Sequence, residues 1–271
     1  MNVLMVTPVY LRTQKTINSL ASLLYKNYDG INIKLIIAVN DSEAPLTEFL
    51  KKYEIDFNKI HGNDSCVIMW HDKNLGKGKA LNLAVTTYGA EFNPTYICSM
   101  DSDIIHIDTD WLHKSIQTFI DYKTHYTNKP KIKPLALVAP NMLEDAVSFN
   151  NHLIDRQKGY HIKVKNWGCW TSDNNAGIAG PCFLVDYDAW KKIGGYYDAL
   201  YIGGNDAYML NDLFRVGYQA IVNKDIYFIH PKHAREEEQY TKWKLNMISK
   251  ARTRPQKLPS DVSEYNGKRN F

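Results

Sequence analysis

Short apolar runs alternate with stretches of helical periodicity through the first half of the chain, and few folds accommodate that alternation. Strands are expected over residues 3–7, 33–39, 67–70, 96–100 and 135–139. Pro8-Val9-Tyr10 stops the first, and apolar residues then recur at Ile17, Leu20, Ala21, Leu24 and Tyr28 behind a Thr13 or Thr16 cap. Pro45 suits a first helical turn, so a short helix is expected over 44–52. Ala80, Leu81, Ala84, Val85 and Tyr88 share one face of a third helix; Leu112, Ile116, Phe119 and Ile120 share one face of a fourth, over 109–122. The expected class is α/β, a single domain whose central sheet is mainly parallel and carries helices on both faces. Such sheets bind ligands at the carboxyl ends of their strands. Here those ends carry Pro8 to Tyr10, Asp41, Asp72, and Asp101 with Asp103, so four consecutive strands deliver polar groups to one rim.

The densest part of that rim is Asp101-Ser102-Asp103, directly after the apolar run 96–100. Carboxylates at the edge of a core must be paired, hydrogen-bonded or bound to a metal, and two so close raise each other's pKa unless a cation intervenes. Oxygen ligands suit a hard divalent ion, Mn2+ or Mg2+, that also bridges to phosphates. Asp and Ser are ordinary turn residues as well; the convergence of four strand ends is what favours a site.

The second half is less regular. Between 140 and 176 the periodicity fails, in a stretch rich in Asn, Lys, His and Trp that includes Trp167 and Trp170. A strand over 178–185, a helix over 188–193 stopped by Gly194-Gly195, a helix opening at Gly203-Gly204-Asn205-Asp206, and strands over 219–223 and 226–229 follow. His230 and His233 come next, then a charged segment, helical around 243–248 and irregular beyond Pro255.

With 271 residues and 44% hydrophobic, the chain has ample material for a core. No run nears the roughly 18 apolar residues of a membrane span, and with Met1-Asn2 running straight into an apolar strand no cleavable leader is expected. Cys66, Cys98, Cys169 and Cys182 are scattered, which argues against a disulfide framework or a structural zinc and makes a reducing cytoplasm the expectation. The tail holds Lys250, Arg252, Arg254, Lys257, Lys268 and Arg269 against Asp261 and Glu264; such a run is either solvated or a nucleic-acid contact.

Gly76-Lys77-Gly78-Lys79 lacks the spacing of a P-loop or of a dinucleotide fingerprint. Its lysines, Lys79 among them, open a helix beside the acidic rim, where they hold a phosphate, pair with Asp72, or remain solvated.

Taken in order, these features resemble a family 2-type glycosyltransferase of the GT-A fold, a Rossmann-like domain. The resemblance runs through Pro8-Val9-Tyr10, Asp41, Asn74 and Gly76 with Ala80 and Asn82, the Asp-x-Asp of Asp101 and Asp103, Gly180, and Gly194-Gly195-Tyr196. It covers about residues 1–233 and implies a nucleotide-sugar-binding half over 1–139, an acceptor and catalytic half over 140–233, and a basic helix and tail over 234–271. It implies donor-binding residues Pro8, Tyr10, Asp41, Asp72, Lys79, Asp101 and Ser102, metal ligands Asp101, Asp103 and His230, with His233 in reserve, and Asp206 as general base. Asn205 departs from the family's usual Glu before that Asp, and joins Trp167 and Trp170 on the expected acceptor side. The implied reaction is transfer from a nucleoside diphosphate sugar, UDP-sugar foremost, to a hydroxyl acceptor with inversion, assisted by Mn2+ or Mg2+. The acceptor stays open between a glycan, a small molecule and a nucleic acid. The rivals are the same chemistry on a modified DNA base, a nucleotidyltransferase, for which residues 9–13 lack the Arg-containing Gly-rich loop, and an inactive sugar-binding module.

Overall fold

A computed structural model describes residues 1–126, 132–144, 147–148, 159–197, 205–231 and 242. In chain order the elements are β1 (Asn2–Tyr10), α1 (Thr13–Leu24), β2 (Asn32–Asp41), α2 (Ala44–His61), β3 (Cys66–Trp70), α3 (Lys77–Phe92), β4 (Tyr96–Met100), β5 (Ile105–His106), α4 (Trp111–Tyr126), β6 (Leu135–Glu144), β7 (Val147–Ser148), β8 (Tyr160–Val164), β9 (Trp167–Thr171), β10 (Cys182–Asp186), α5 (Tyr187–Ile193), α6 (Asn205–Arg215) and β11 (Gln219–Ile229).

One sheet runs through both halves in the order β3-β2-β1-β4-β10-β6-β11-β9-β8, with β5 on β11 and β7 on β6. The first four strands are parallel. β10 enters antiparallel between β4 and β6, β11 lies parallel to β6, and β9 and β8 close the far edge as an antiparallel hairpin. Along this path only β10 and β9 oppose the common direction, so the rim collects the ends of β1 to β4, β6 and β11.

The central strands are buried on both faces. Val3, Met5 and Val9 of β1 join Leu20 of α1, Leu50 and Phe57 of α2 and Leu112 of α4 in one core. Leu4 and Val6 face the other way, with Leu81 of α3, Trp190 of α5 and Leu210 of α6. Near-continuous apolar runs are what two covered faces require.

Several boundaries differ from the sequence expectation. β1 continues through Pro8 to Tyr10, because its pairing with β4 ends at Val6 and a strand edge tolerates proline. Thr13 is the first residue of α1 rather than its cap; Arg12 precedes it in a left-handed conformation. α2 is twice the expected length, since Leu46, Leu50, Tyr53 and Phe57 keep the helical period and all are buried. The irregular stretch 140–176 contains the end of β6 and the β8–β9 hairpin, whose edge strand exposes Tyr160 and His161 and so carries little apolar alternation. β10 begins at Cys182, not 178. The two expected late strands are one, β11, with a bulge: Asn223 pairs with Pro140 and Tyr227 with Asn141, leaving three extra residues on β11. The expected C-terminal helix and basic tail lie outside the described residues, as does His233.

Candidate active site

β4 ends in the fully buried Met100, and the chain turns at Asp101, whose backbone N–H donates to the Pro181 carbonyl at 2.7 Å. That bond pins the Asp-x-Asp turn to the start of β10. The two carboxylates then take different partners.

Asp103 is almost inaccessible, at 3% exposure. Its Oδ2 accepts from Arg12 Nη1, at the β1–α1 connection, and lies 3.3 Å from His230 Nε2, just past the end of β11. Burial works to raise the Asp103 pKa, but the His230 hydrogen bond and the charges of Arg12, His230 and Lys15 outweigh it and hold the carboxyl well below the usual range. Burial likewise works against a charged His230, yet its contact with Asp103 and the nearby charges of Asp101 and Glu144 leave its pKa raised. Glu144, the last residue of β6, sits 3.6 Å from His230 Nδ1.

Asp101 belongs to a second cluster. Lys77, the first residue of α3, places its Nζ 2.7 Å from Asp101 Oδ1, 2.9 Å from Asp206 Oδ1 and 3.3 Å from the Gly180 carbonyl. An ammonium has three N–H donors, so these contacts saturate it and put both carboxylates on one cation. Burial pushes Asp101 up to about 6; the Lys77 charge opposes that, and Asp206 and Asp103 reinforce it.

The frame holding Asp206 is built without side chains at three points. A Cβ on Gly180 would stand 2.1 Å from the Asp206 carboxyl, one on Gly78 2.5 Å from the Tyr197 carbonyl, and one on Gly195 2.4 Å from Asn82 Oδ1. Asn82 Nδ2 donates to the Tyr196 carbonyl at 2.7 Å and its Oδ1 accepts the Tyr196 N–H at 2.9 Å. The Tyr196 hydroxyl in turn lies 2.8 Å from Ser99 Oγ of β4. α3, the Gly194–Tyr197 turn and α6 are thereby locked together around Asp206.

These contacts hold both Asp-x-Asp carboxylates at the carboxyl end of β4, within one polar cluster. The profile of glycosyl transferase family 2 matches residues 5–170. The chain belongs to glycosyl transferase family 2. No curated protein matches it, but solved structures do. The mannosyltransferase PcManGT from Pyrobaculum calidifontis, in complex with GDP-Man and Mn2+, is 14% identical with a TM-score of 0.60, over 95% of this chain and 66% of that one. TarS 1-349 from S. aureus, in complex with UDP-GlcNAc, is 13% identical with a TM-score of 0.61, over 86% and 59%. At such identities the likeness is one of fold. This family 2 chain spans just under two thirds of PcManGT and less of TarS.

The structure brings Asp101 and Asp206 together on Lys77, and Asp103 together with His230. Ser102 and Asn205 are buried beside them, and Tyr10 is in register with Asp41, whose side chain is not described. Pro8 is partly buried on β1; Asp72 is exposed beyond β3. Lys79 points to solvent, and it is Lys77 that pairs, with Asp101 and Asp206 rather than with Asp72. Trp167 and Trp170 are not brought to the rim. Trp170 is in register with Val222, ahead of the β11 bulge, and donates to His161; Trp167 donates to Asp121 of α4 at 2.9 Å. An indole seeks a partner for its N–H wherever it is buried, and here those partners lie on β8 and α4.

Sequence reasoning missed Arg12, and of the two lysines it placed beside the rim it carried Lys79 forward rather than Lys77. The signal for Lys77 was its place between two glycines at a helix start, where the lack of side chains on either side allows close packing. Arg12 gave none, being one cation in a polar loop.

Proposed function

We propose that the chain transfers a glycosyl group from a nucleoside diphosphate sugar to a hydroxyl acceptor, with Asp206 as general base and inversion at the anomeric carbon. The observation that carries this reading is the Lys77 bridge, which sets the Asp206 carboxylate on the same cation as Asp101 of the Asp-x-Asp. A base must stand within reach of the proton it takes and beside the donor's reacting carbon, and the bridge couples those positions. The Asp206 carboxylate accepts the acceptor's proton while Lys77 holds its other contacts. Asp41, Tyr10 and Pro8 serve the nucleoside, and Ser102 and Asp101 line the diphosphate. Residues 1–139 supply the donor half and 140–233 the acceptor half.

The residues present fit a divalent ion. Among the described residues no three His, Cys, Asp or Glu side chains are grouped to hold one, but Asp103 Oδ2 and His230 Nε2 are 3.3 Å apart. That is the spacing of adjacent ligands whose bonds to one ion are about 2.1 Å. Mn2+ and Mg2+ commonly take one or two protein ligands and complete their shell with phosphate oxygens and water. Asp103 and His230 would hold the ion, whose contribution is to offset charge on the departing diphosphate.

Melting curves with UDP and GDP, each with and without Mn2+, test the donor site on wild type and Asp103→Ala. UDP is expected to stabilise more than GDP; both belong in the series because TarS holds a UDP-sugar and PcManGT a GDP-sugar. A ligand at about 100 times its dissociation constant adds about 2.7 kcal/mol. Stabilisation that needs Mn2+ and vanishes in Asp103→Ala is expected; the absence of any shift in wild type at saturating nucleotide overturns the donor-site reading.

A further inference from the structure

The Asp103 carboxylate, proposed above to face a metal, already holds a cation of the chain. Oδ2 of Asp103 receives both Arg12 Nη1 and His230 Nε2, and a carboxylate oxygen offers about two lone-pair positions. The two partners are not equivalent. An imidazole becomes a ligand without leaving its place once its Nε2 proton has passed to water or been exchanged for one on Nδ1. A guanidinium stays protonated, has no lone pair to give, and repels an incoming ion. Arg12 is therefore the group that a cation must displace.

Its backbone points the same way. Leu11 and Arg12 both have left-handed conformations, with φ of 53° and 57°. For side chains without a local hydrogen-bonding group such a turn costs free energy, and it persists only where something over-determines it. The Arg12 side chain is only 7% exposed, drawn in onto Asp103. Arg12 stands two residues past the end of β1, on the rim assigned to the donor, and a released guanidinium is the side chain best shaped to take two phosphate oxygens.

Resting on the function proposed above, we propose that Arg12 is a built-in competitor for the divalent ion. It closes on Asp103 when no donor is present; metal and nucleoside diphosphate enter together, the ion taking the carboxylate and the diphosphate taking the displaced guanidinium. The chain then binds metal poorly alone and well with the donor, which limits idle occupation of the site.

The test is titration of the full chain with Mn2+ alone, followed by the spin-resonance signal of the free ion, and repeated with UDP or GDP. Arg12→Gln is expected to bind Mn2+ alone about tenfold or more tighter than wild type, the scale of a close charge pair, and to lose most of the gain in Mn2+ affinity that nucleotide confers on wild type. Asp103→Asn in the same background abolishes the added affinity. Leu11→Gly changes the sign: glycine adopts the left-handed turn without strain, favours the closed arrangement, and weakens Mn2+ binding several-fold, so the idea stays testable if Arg12→Gln does not fold. Unchanged or weaker Mn2+ binding by a folded Arg12→Gln overturns the inference, as does unchanged or tighter binding by Leu11→Gly. If no variant binds Mn2+ while wild type still binds nucleotide, the inference falls and the donor site stands; if wild type binds neither, both fall.

Discussion

At the scale of single residues, the site depends on where atoms are missing as much as on where charges stand. Gly180 leaves room for the Asp206 carboxyl, which a Cβ there would meet at 2.1 Å. Gly180→Ala must push Asp206 off the Lys77 bridge, and a displacement of about 1 Å can cost about 100-fold in rate. Turnover is expected to fall by that order while nucleotide-induced stabilisation persists; Asp206→Asn should abolish transfer with the same retention of binding. Loss of nucleotide binding in both variants would remove Asp206 from the role of base. A second residue predicts pH behaviour. His106 is buried against Trp111, with ring centroids 4.4 Å apart, and burial, helped by the Lys26 charge, lowers its pKa to about 3. The unfolded imidazole titrates near 6.5, so between about pH 6.5 and 3 the unfolded chain binds the extra proton and stability falls as the pH drops. The slope is up to about 1.4 kcal/mol per pH unit. His106→Phe, which keeps the ring stack, should flatten the acid limb of denaturation by close to one proton; an unchanged slope would show that His106 is not the group responsible.

At the scale of elements, α6 carries Asp206 at its first turn, and Asn175 joins it to the sheet, its Nδ2 reaching the Leu210 carbonyl of α6 at 3.4 Å. That side chain is fully buried, with φ of 59°; its Nδ2 donates to the Tyr218 carbonyl at 3.1 Å and its Oδ1 accepts from Ala220 N at 2.9 Å. A further bond from Gln219 Nε2 at 3.1 Å ties β11 to the same amide. Asn175→Ala orphans the Ala220 N–H and forces a left-handed alanine, a loss of about 2 kcal/mol or more. For a chain of this size that lowers Tm by roughly 4–8 °C. Asn175→Gly should recover the part due to backbone strain and not the part due to hydrogen bonding, so equal melting points for the two variants would count against this division.

At the scale of the whole molecule, the antiparallel entry of β10 between β4 and β6 makes the site possible. It delivers Pro181 to the backbone of Asp101 and Gly180 to Asp206, so both carboxylates are held by the two residues that lead into one strand. A single sheet with two buried faces should unfold as one unit. Far-UV dichroism and tryptophan fluorescence are expected to report the same midpoint, and bound nucleotide with Mn2+ to move both equally. Separate midpoints would indicate that residues 1–139 and 140–233 fold independently.

The alternation of strands and helices, the carboxyl-end rim and the carboxylates Asp101 and Asp103 were legible in the residues themselves; Asp206, by itself an ordinary helix start, stood out only through the family resemblance. Buried strands must be apolar on both faces, and charge at their ends is too costly to be incidental. The length of α2 was legible too, in Tyr53 and Phe57, but underread. Tertiary structure alone decided which cation meets which carboxylate. Lys77 and Lys79 have the same chemistry two residues apart, yet the helix turns only Lys77 inward. Arg12 reaches Asp103 across 91 residues of sequence. Trp167 and Trp170 went the other way, their composition suiting a sugar site while the register of β9 on β11 holds them away from it. Local sequence sets periodicity and the cost of burial; which distant side chains share a charge is set by strand order and register.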